Sequence, residues 1–146
     1  MRATQQVRYA IYGVFDLAYN GGARPVPLFA VGRRQAIPAR YLEQIFQKLR
    51  RAGLVTSKRG PRGGYQLARR PDEIALGDVV RAVQGNVLAL PEPDKERGGL
   101  EPDFVWSLIR AGLEAALAQH SVADLCREAA ERGIPRAALD PASYEI

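Results

Sequence analysis

Apolar residues in the first part of the chain recur at the spacing that is typical of amphipathic helices. Residues 4–19 follow the i, i+3, i+4 rule, and residues 20–22 (Asn-Gly-Gly) end that helix with residue types that tolerate left-handed backbone. The pattern predicts a short second helix over residues 28–36 and a stronger third helix over residues 38–52, which stops at Gly53. We therefore expect three helices before any strand.

The period changes from helical to alternating after the third helix. Residues 54–58 predict a short β-branched strand, and residues 65–68 predict a strand that returns beside it. The sequence RGPRGG at residues 59–64 between them has the glycine and proline content of a tight turn. These segments predict a β-hairpin with a basic tip, followed by a fourth helix over residues 76–84.

The C-terminal part of the chain has a different character. Proline, glycine and acidic residues concentrate at residues 91–103, which indicates an exposed loop or linker. A long helix with a broad apolar stripe is predicted from Asp103 to His120, and a shorter one over residues 121–132 behind a Ser121 N-cap. The predicted fold class is mainly α with a small β-hairpin.

Three regions follow from this pattern. We expect a helix-and-hairpin domain over residues 1–85, an exposed loop or linker over residues 86–102, and a helical region over residues 103–146. A chain of 146 residues fits one domain with an added oligomerisation element.

Composition excludes several classes of protein. No apolar run approaches the roughly 20 residues that a bilayer-spanning helix needs, so we expect a cytoplasmic protein that does not contact membranes. One cysteine and one histidine leave no intramolecular disulfide and few soft metal ligands. We expect no cofactor and no metal site. No Ser/His/Asp set, carboxylate pair or cofactor fingerprint stands out, and we therefore expect no enzyme.

Positive charge is concentrated between Arg33 and Arg70. That stretch holds eleven Lys and Arg residues against one acid, Glu43, although the whole chain is only +5. Apolar residues are interleaved at helical spacing, so the basic segment is folded rather than a disordered tail. A folded basic surface of this kind indicates a nucleic-acid partner.

The order helix, turn, helix, basic hairpin is that of a winged helix-turn-helix. Such a domain places the second helix of the pair in the DNA major groove, where Arg and Gln bond to purine edges and Glu accepts from cytosine. The hairpin, or wing, contacts the minor groove or the phosphates. The DNA-binding residues that we predict are Arg40, Glu43, Gln44, Gln47 and Arg51 on the helix, and Lys58, Arg59 and Arg62 on the wing.

The same residues carry a family resemblance. The strings RYLEQIFQKLRRAGLV, SKRGPRGGYQLAR and ALGDVVRAVQG resemble the Rrf-two (Rrf2) family of bacterial transcription regulators, which includes IscR-, NsrR- and CymR-type members. The resemblance implies winged-helix homodimers in which the long helix over residues 103–120 crosses its twin. It also implies DNA contacts at Glu43, Gln44 and Arg59, with Tyr41 as a packing or phosphate-contacting residue.

The sequence departs from the family pattern in one segment and at one single position. Sensing members carry three cysteines for an iron–sulphur cluster in the segment here numbered about 86–106, and this chain has none there. The carboxylates in that segment are hard ligands that suit such a cluster poorly. Ala36 stands in the helix-turn-helix turn where relatives commonly have Gly. Either this position has positive φ at a cost of about 1 kcal/mol, or the turn differs.

The sequence leads to one principal hypothesis and one rival. We expect a homodimeric, sequence-specific DNA-binding regulator, a repressor on a palindromic operator, without the family's cluster. The rival is a protein-interaction regulator whose acidic C-terminal half docks a metabolic enzyme or effector protein, with DNA binding secondary. Cys126 is either a redox-active thiol or, as we favour, a small apolar packing residue.

Overall fold

The computed structural model describes residues 2–85 and 90–137, which contain six α-helices and one β-hairpin. In chain order they are α1 Ala3–Asp16, α2 Leu28–Gln35, α3 Ala39–Arg51, β1 Val55–Lys58, β2 Gly64–Leu67, α4 Leu76–Gln84, α5 Phe104–Ala118 and α6 Val122–Glu131. The predicted fold class is confirmed.

The first helix ends differently from the sequence prediction. Regular α-helix stops at Asp16, and Leu17–Gly21 continue as a π-helical turn before Gly22 reverses the chain at φ 59°. The prediction of one α-helix over residues 4–19 was therefore wrong at its end. A π turn adds one residue to a helical turn, and an apolar pattern of period 3.6 cannot reveal this.

One core joins α1, α3, α4 and the hairpin. The inner face of α3 is fully buried, and its Phe46 ring meets the ring of Tyr65 from β2 edge-on at a centroid distance of 5.0 Å. Gly13 of α1 faces the same ring, because a Cβ built there would lie 2.8 Å from Phe46 Cε2. Helices α1 and α3 thus approach closely only because position 13 carries no side chain.

The turn between α2 and α3 contains a strained alanine. Ala36 adopts φ 54° and ψ 46°, and it is the one described residue other than glycine with positive φ. The first of the two possibilities raised by the sequence is therefore correct. The left-handed backbone costs an L-residue about 1 kcal/mol. Ile37 N donates to Gly32 O at 3.0 Å and closes the turn.

The hairpin is joined to the loop between α1 and α2. Its strands pair antiparallel from Val55↔Leu67 to Lys58↔Gly64. Val26 adds a short third bridge, since Val26 N donates to Tyr65 O at 2.7 Å and Tyr65 N donates to Val26 O at 2.8 Å. A Cβ at Gly64 would lie 2.4 Å from the Val26 carbonyl, so this pairing requires glycine.

The C-terminal helices pack unequally on this core. Helix α6 begins with the predicted capping box of Ser121 and Asp124, whose hydrogen bonds lower the pKa of the Asp124 carboxyl. Val122 of α6 is fully buried in the same core as α1 and α3. Helix α5 buries no residue and contacts mainly α4, where Arg81 Nη1 lies 2.6 Å from Glu114 Oε2.

The predicted loop is irregular and largely exposed from residue 90 to residue 103. Its first part, residues 86–89, and the end of the predicted C-terminal region, residues 138–146, lie outside the described residues. The division into three regions therefore stays a prediction. No helix in the described ranges is long and apolar enough to cross a membrane.

Candidate nucleic-acid interface

Helix α3 separates its apolar and polar residues cleanly because their spacing matches the helical period. Leu42, Ile45, Phe46 and Leu49 occupy the inner face, and each is at most 2% exposed. The opposite face therefore projects fully from the protein. Pro38 precedes the helix in extended conformation, and Gly53 follows it at φ 75°. These two ends fix the face at a defined position beside the hairpin.

All eight predicted DNA-binding side chains lie on the surface. Five of them are exposed on α3, namely Arg40, Glu43, Gln44, Gln47 and Arg51, and three are exposed on the hairpin, namely Lys58, Arg59 and Arg62. Within the described chain, none of the eight makes a hydrogen bond or ion pair to another side chain. Arg40 lies over the Tyr41 ring with Cζ 4.7 Å from its centroid. Their polar atoms are thus free to bond to a ligand.

The end of α3 and the hairpin form one continuous surface. Gly53 links α3 almost directly to β1, and Arg50 Nη1 donates to Ser57 Oγ at 3.4 Å across the junction. Lys58 ends β1, so Arg59 and Arg62 stand in the exposed turn that follows. The arrangement can present polar groups to base edges and cations to phosphates at the same time.

Tyr41 has a packing role at the root of this surface. Its ring is half-buried and stacks on Tyr9 of α1, with centroids 5.9 Å apart. Tyr9 belongs to the core, so Tyr41 supports α3 from within the protein. Of the two roles that the resemblance implied, packing is the one that these contacts support.

A buried charge cluster that the sequence reasoning missed holds α2 against α1. Asp16 is fully buried and accepts hydrogen bonds from Arg34 Nη2 at 2.6 Å, and from Asn20 Nδ2 and Gln35 Nε2 at 3.0 Å each. Arg34 is one of the eleven cations in the basic stretch, but its guanidinium forms an ion pair with Asp16 inside the protein. Asp16 is the only acid before Glu43, and its position between Phe15 and Leu17 was the available signal.

Cys126 packs as a partly buried side chain. It lies against the core from α6, and burial raises the pKa of its thiol above the ordinary value, although Arg136 acts in the opposite direction. A raised pKa leaves less thiolate at neutral pH, and thiolate is the form that oxidants attack. These observations favour packing over redox chemistry, which stays an untested prediction.

Comparison with known proteins gives a consistent result. A family model described as "Rrf2: Iron-dependent Transcriptional regulator" matches residues 3–128. The transcriptional regulator IscR of Aliivibrio salmonicida is 49% identical over 96 residues, which cover 66% of this chain and 57% of that protein. IscR of Escherichia coli O1:K1 is 48% identical over 87 residues, 60% of this chain and 54% of that protein. The chain thus matches little more than half the length of these curated relatives.

Solved structures match over a larger share of the chain. IscR of T. potens superposes with a TM-score of 0.74 at 32% identity and covers 94% of both chains. CymR, the global cysteine regulator of B. subtilis, gives a TM-score of 0.72 at 31% identity and covers 88% of this chain and 98% of its own. These relatives are transcriptional regulators rather than enzymes, so the prediction that this chain is not an enzyme is confirmed.

The side chains of this protein do not fit an iron–sulphur cluster. Such clusters are held by several thiolates, whereas this chain has one cysteine, on α6 and packed against the core. Across residues 2–85 and 90–137, no group of three His, Cys, Asp or Glu residues could hold a metal ion.

Proposed function

The chain belongs to the Rrf2 family of transcriptional regulators, and from this premise we propose that it is a sequence-specific DNA-binding repressor. It acts in the cytoplasm as a homodimer on an imperfect palindrome and needs no iron–sulphur cluster. The observation that carries the proposal is the exposed polar face of α3 beside a basic hairpin. Glu43, Gln44 and Gln47 would read base edges there, while Lys58, Arg59 and Arg62 would contact the minor groove or the phosphates.

Glu43 supports sequence-specific rather than general binding. It is the single acid among the eleven cations of residues 33–70, and it makes no ion pair within the described residues. A carboxylate next to phosphates is electrostatically unfavourable, so a surface built only for non-specific binding would lack it. A base contact explains its presence, because the Glu43 carboxylate can accept a hydrogen bond from the amino group of a cytosine.

The dimer is supported by the unpaired apolar stripe of α5. Phe104 and Leu108 are 68% and 63% exposed, and Ile109 is 40% exposed. Large apolar side chains that lie together on one helix are typical of a protein–protein contact. A two-fold dimer would place two copies of α3 about one DNA turn, or a multiple of it, apart. A dimer bound in both grooves would exclude RNA polymerase from an overlapping promoter.

The rival function keeps a specific observation in its favour. Residues 71–146 carry a net charge of −7, and most residues of the acidic loop between residues 90 and 103 are exposed. That surface suits a basic partner protein, such as a metabolic enzyme or an effector.

A footprint of the purified protein on its own upstream DNA separates the two functions. We expect protection of a two-fold-symmetric site at about 0.15 M salt, near physiological ionic strength, with no metal, reductant or partner added. Diffuse binding that fades with salt, or no binding, would favour the interaction regulator.

Two arginine variants test the division of roles on the wing. Arg59→Ala should weaken binding and relax the sequence preference, because Arg59 stands in the exposed turn. Arg70→Ala should mainly reduce the dependence of affinity on salt, because Arg70 is an exposed cation outside the hairpin that would act on phosphates through its charge alone. Titrations at several salt concentrations on cognate and scrambled DNA measure both quantities. Identical behaviour of the two variants would contradict this division.

A further inference from the structure

A cavity of about 840 Å³ lies between α1, the π turn and α6. Its apolar wall includes Ile11, Phe15, Leu125 and Ala129, and the Phe15 ring stacks on Tyr19 with centroids 4.9 Å apart. The volume falls within the range of about 300–1,000 Å³ that is usual for small-molecule sites. None of the eight proposed DNA-contacting residues lines it.

Positive charge borders this cavity. Arg34, Arg132 and Arg136 line it together with one acid, Glu128. Arg132 Nε donates to Glu128 Oε1 at 2.9 Å, and Arg34 is bound to Asp16. Arg136 lies over the Tyr19 ring at 4.6 Å and has no carboxylate partner among residues 2–85 and 90–137. An apolar cavity with such a cation beside it is complementary to an apolar molecule that carries one negative charge.

We propose that this cavity binds a small amphipathic anion, a carboxylate or sulfonate with an aromatic or branched aliphatic body. Arg136 receives the acid group, and the side chains of α1 and α6 surround the apolar body. The anion is an effector of the regulator, so this inference rests in part on the proposed function.

A chain of hydrogen bonds leads from the cavity to the helix-turn-helix. Ala137 N, next to Arg136, donates to Asn20 Oδ1 at 2.8 Å, and Asn20 Nδ2 donates to Asp16 Oδ2 at 3.0 Å. Asp16 in turn holds Arg34 and Gln35 at the end of α2. An anion that moves the Arg136–Ala137 backbone therefore acts on the same cluster that positions α2, and through the Ala36 turn on α3.

The binding test uses the full chain without DNA and anilinonaphthalene sulfonate as the fluorescent probe. We expect saturable binding of one probe per chain, and displacement by phenylpropanoate at least about tenfold more effective than by its neutral amide, phenylpropanamide. Equal displacement by the acid and the amide would overturn the proposal, since no cation would then take part.

Three variants locate the site. Arg136→Gln should abolish the preference for the acid, whereas Arg127→Gln should keep it, because Arg127 lies on the same α6 but pairs with Asp124 at 2.7 Å outside the cavity. Leu125→Trp should reduce probe binding by filling the cavity, and circular dichroism checks its fold. Retention of the acid preference in Arg136→Gln, or unchanged binding in a folded Leu125→Trp, would overturn the assignment.

The regulatory step has its own measurement. Footprint titrations with saturating phenylpropanoate should shift DNA affinity about fivefold or more, and Arg136→Gln should remove the shift. Acid-selective binding without a shift would overturn the effector role, while acid-selective binding by a protein that binds no DNA would overturn the proposed function alone. Probe binding that rises as a dimer is diluted to monomers would show that a second copy fills the cavity, and would overturn this inference.

Discussion

Helices α3 and α5 are similar in length but differ in what the protomer does with their apolar side chains. The apolar face of α3 is completely covered, with Ile45, Phe46 and Leu49 at 0% exposure. The apolar stripe of α5 meets α4 near its C-terminal end, where Leu117 approaches Gly77, but Phe104 and Leu108 at its other end face solvent. The protomer thus buries the apolar face of α3 completely and leaves part of the apolar stripe of α5 exposed.

This difference separates two kinds of surface. Because the inner face of α3 is fully buried, its outer face is fixed in position, and the polar groups there can act as a rigid reading surface. Because Phe104 and Leu108 of α5 stay in water in a single protomer, the hydrophobic free energy of burying them is gained only when another surface covers them. We therefore expect α3 to determine what the protein binds and α5 to determine how many copies bind together.

The largest effect should come from removal of the α3 anchor. Phe46→Ala should lower the free energy of unfolding by about 3–5 kcal/mol, because it leaves a cavity between α1, α3 and the hairpin. Urea denaturation measures the loss, which should not depend on protein concentration. The matched change on α5, Phe104→Ala, should lower stability only in the part that varies with protein concentration. Equal, concentration-independent losses would contradict the comparison.

The next effect concerns the α5 stripe. Leu108→Glu should raise the dissociation constant of the dimer at least about a hundredfold, since burial of a leucine contributes about 1.5–3 kcal/mol and a two-fold interface contains the change twice. Sedimentation equilibrium measures this constant. Ala130→Glu, at an exposed position of α6 outside this stripe, is a control for added charge. A variant that stays as dimeric as the parent protein would assign the interface elsewhere.

A smaller effect is expected on the outer face of α3. Glu43→Ala should reduce discrimination between cognate and mismatched DNA by about 1–3 kcal/mol, as for one specific base contact, and leave the free energy of unfolding unchanged. Competition footprints measure the discrimination. Glu131→Ala removes an exposed acid from α6 and should leave it intact. If both variants shifted binding equally, Glu43 would act only through its charge.

The smallest effect should come from the turn before α3. Ala36→Gly should raise the free energy of unfolding by up to about 1 kcal/mol, because glycine adopts the left-handed backbone without strain. Ala52→Gly is the matched control at φ −79°, and it should not stabilise the protein. Thermal unfolding of the two variants tests the sign. A destabilised Ala36→Gly would mean that the alanine methyl makes compensating contacts.

Local features of the fold were predictable because the sequence signals for them are local. The capping box of Ser121 and Asp124 and the bounds of α4 at Leu76–Gln84 are confirmed. The π turn at Leu17–Gly21 was missed, because an extra residue in one turn leaves no mark in a periodic pattern. The exposed positions of the five proposed DNA-contacting residues of α3 agree with the helical spacing, and the other three are exposed on the predicted hairpin, while the contacts of all eight with DNA stay predictions.

Contacts between distant residues lay beyond the sequence. Arg34 looked like one more cation of the basic stretch, but its partner Asp16 is 18 positions away and the pair is formed only when α1 and α2 pack. The cavity was likewise not predictable, because Arg136 and Tyr19, which both line it, meet only in the folded chain. A charge count describes a segment, and only tertiary packing decides which charges face solvent.

The hairpin has one consequence for the diversification of such regulators. Its base is joined to the Val26 backbone, and Gly63 and Gly64 have no room for a Cβ, since one at Gly63 would lie 2.1 Å from Lys58 O. Residues 59–62 at the tip are all exposed and carry no such restriction. Residues 59–62 can therefore be replaced by the four corresponding residues of a relative without disturbing the base of the hairpin. Such a replacement would change which DNA groove or sequence the hairpin contacts and leave the rest of the fold unchanged.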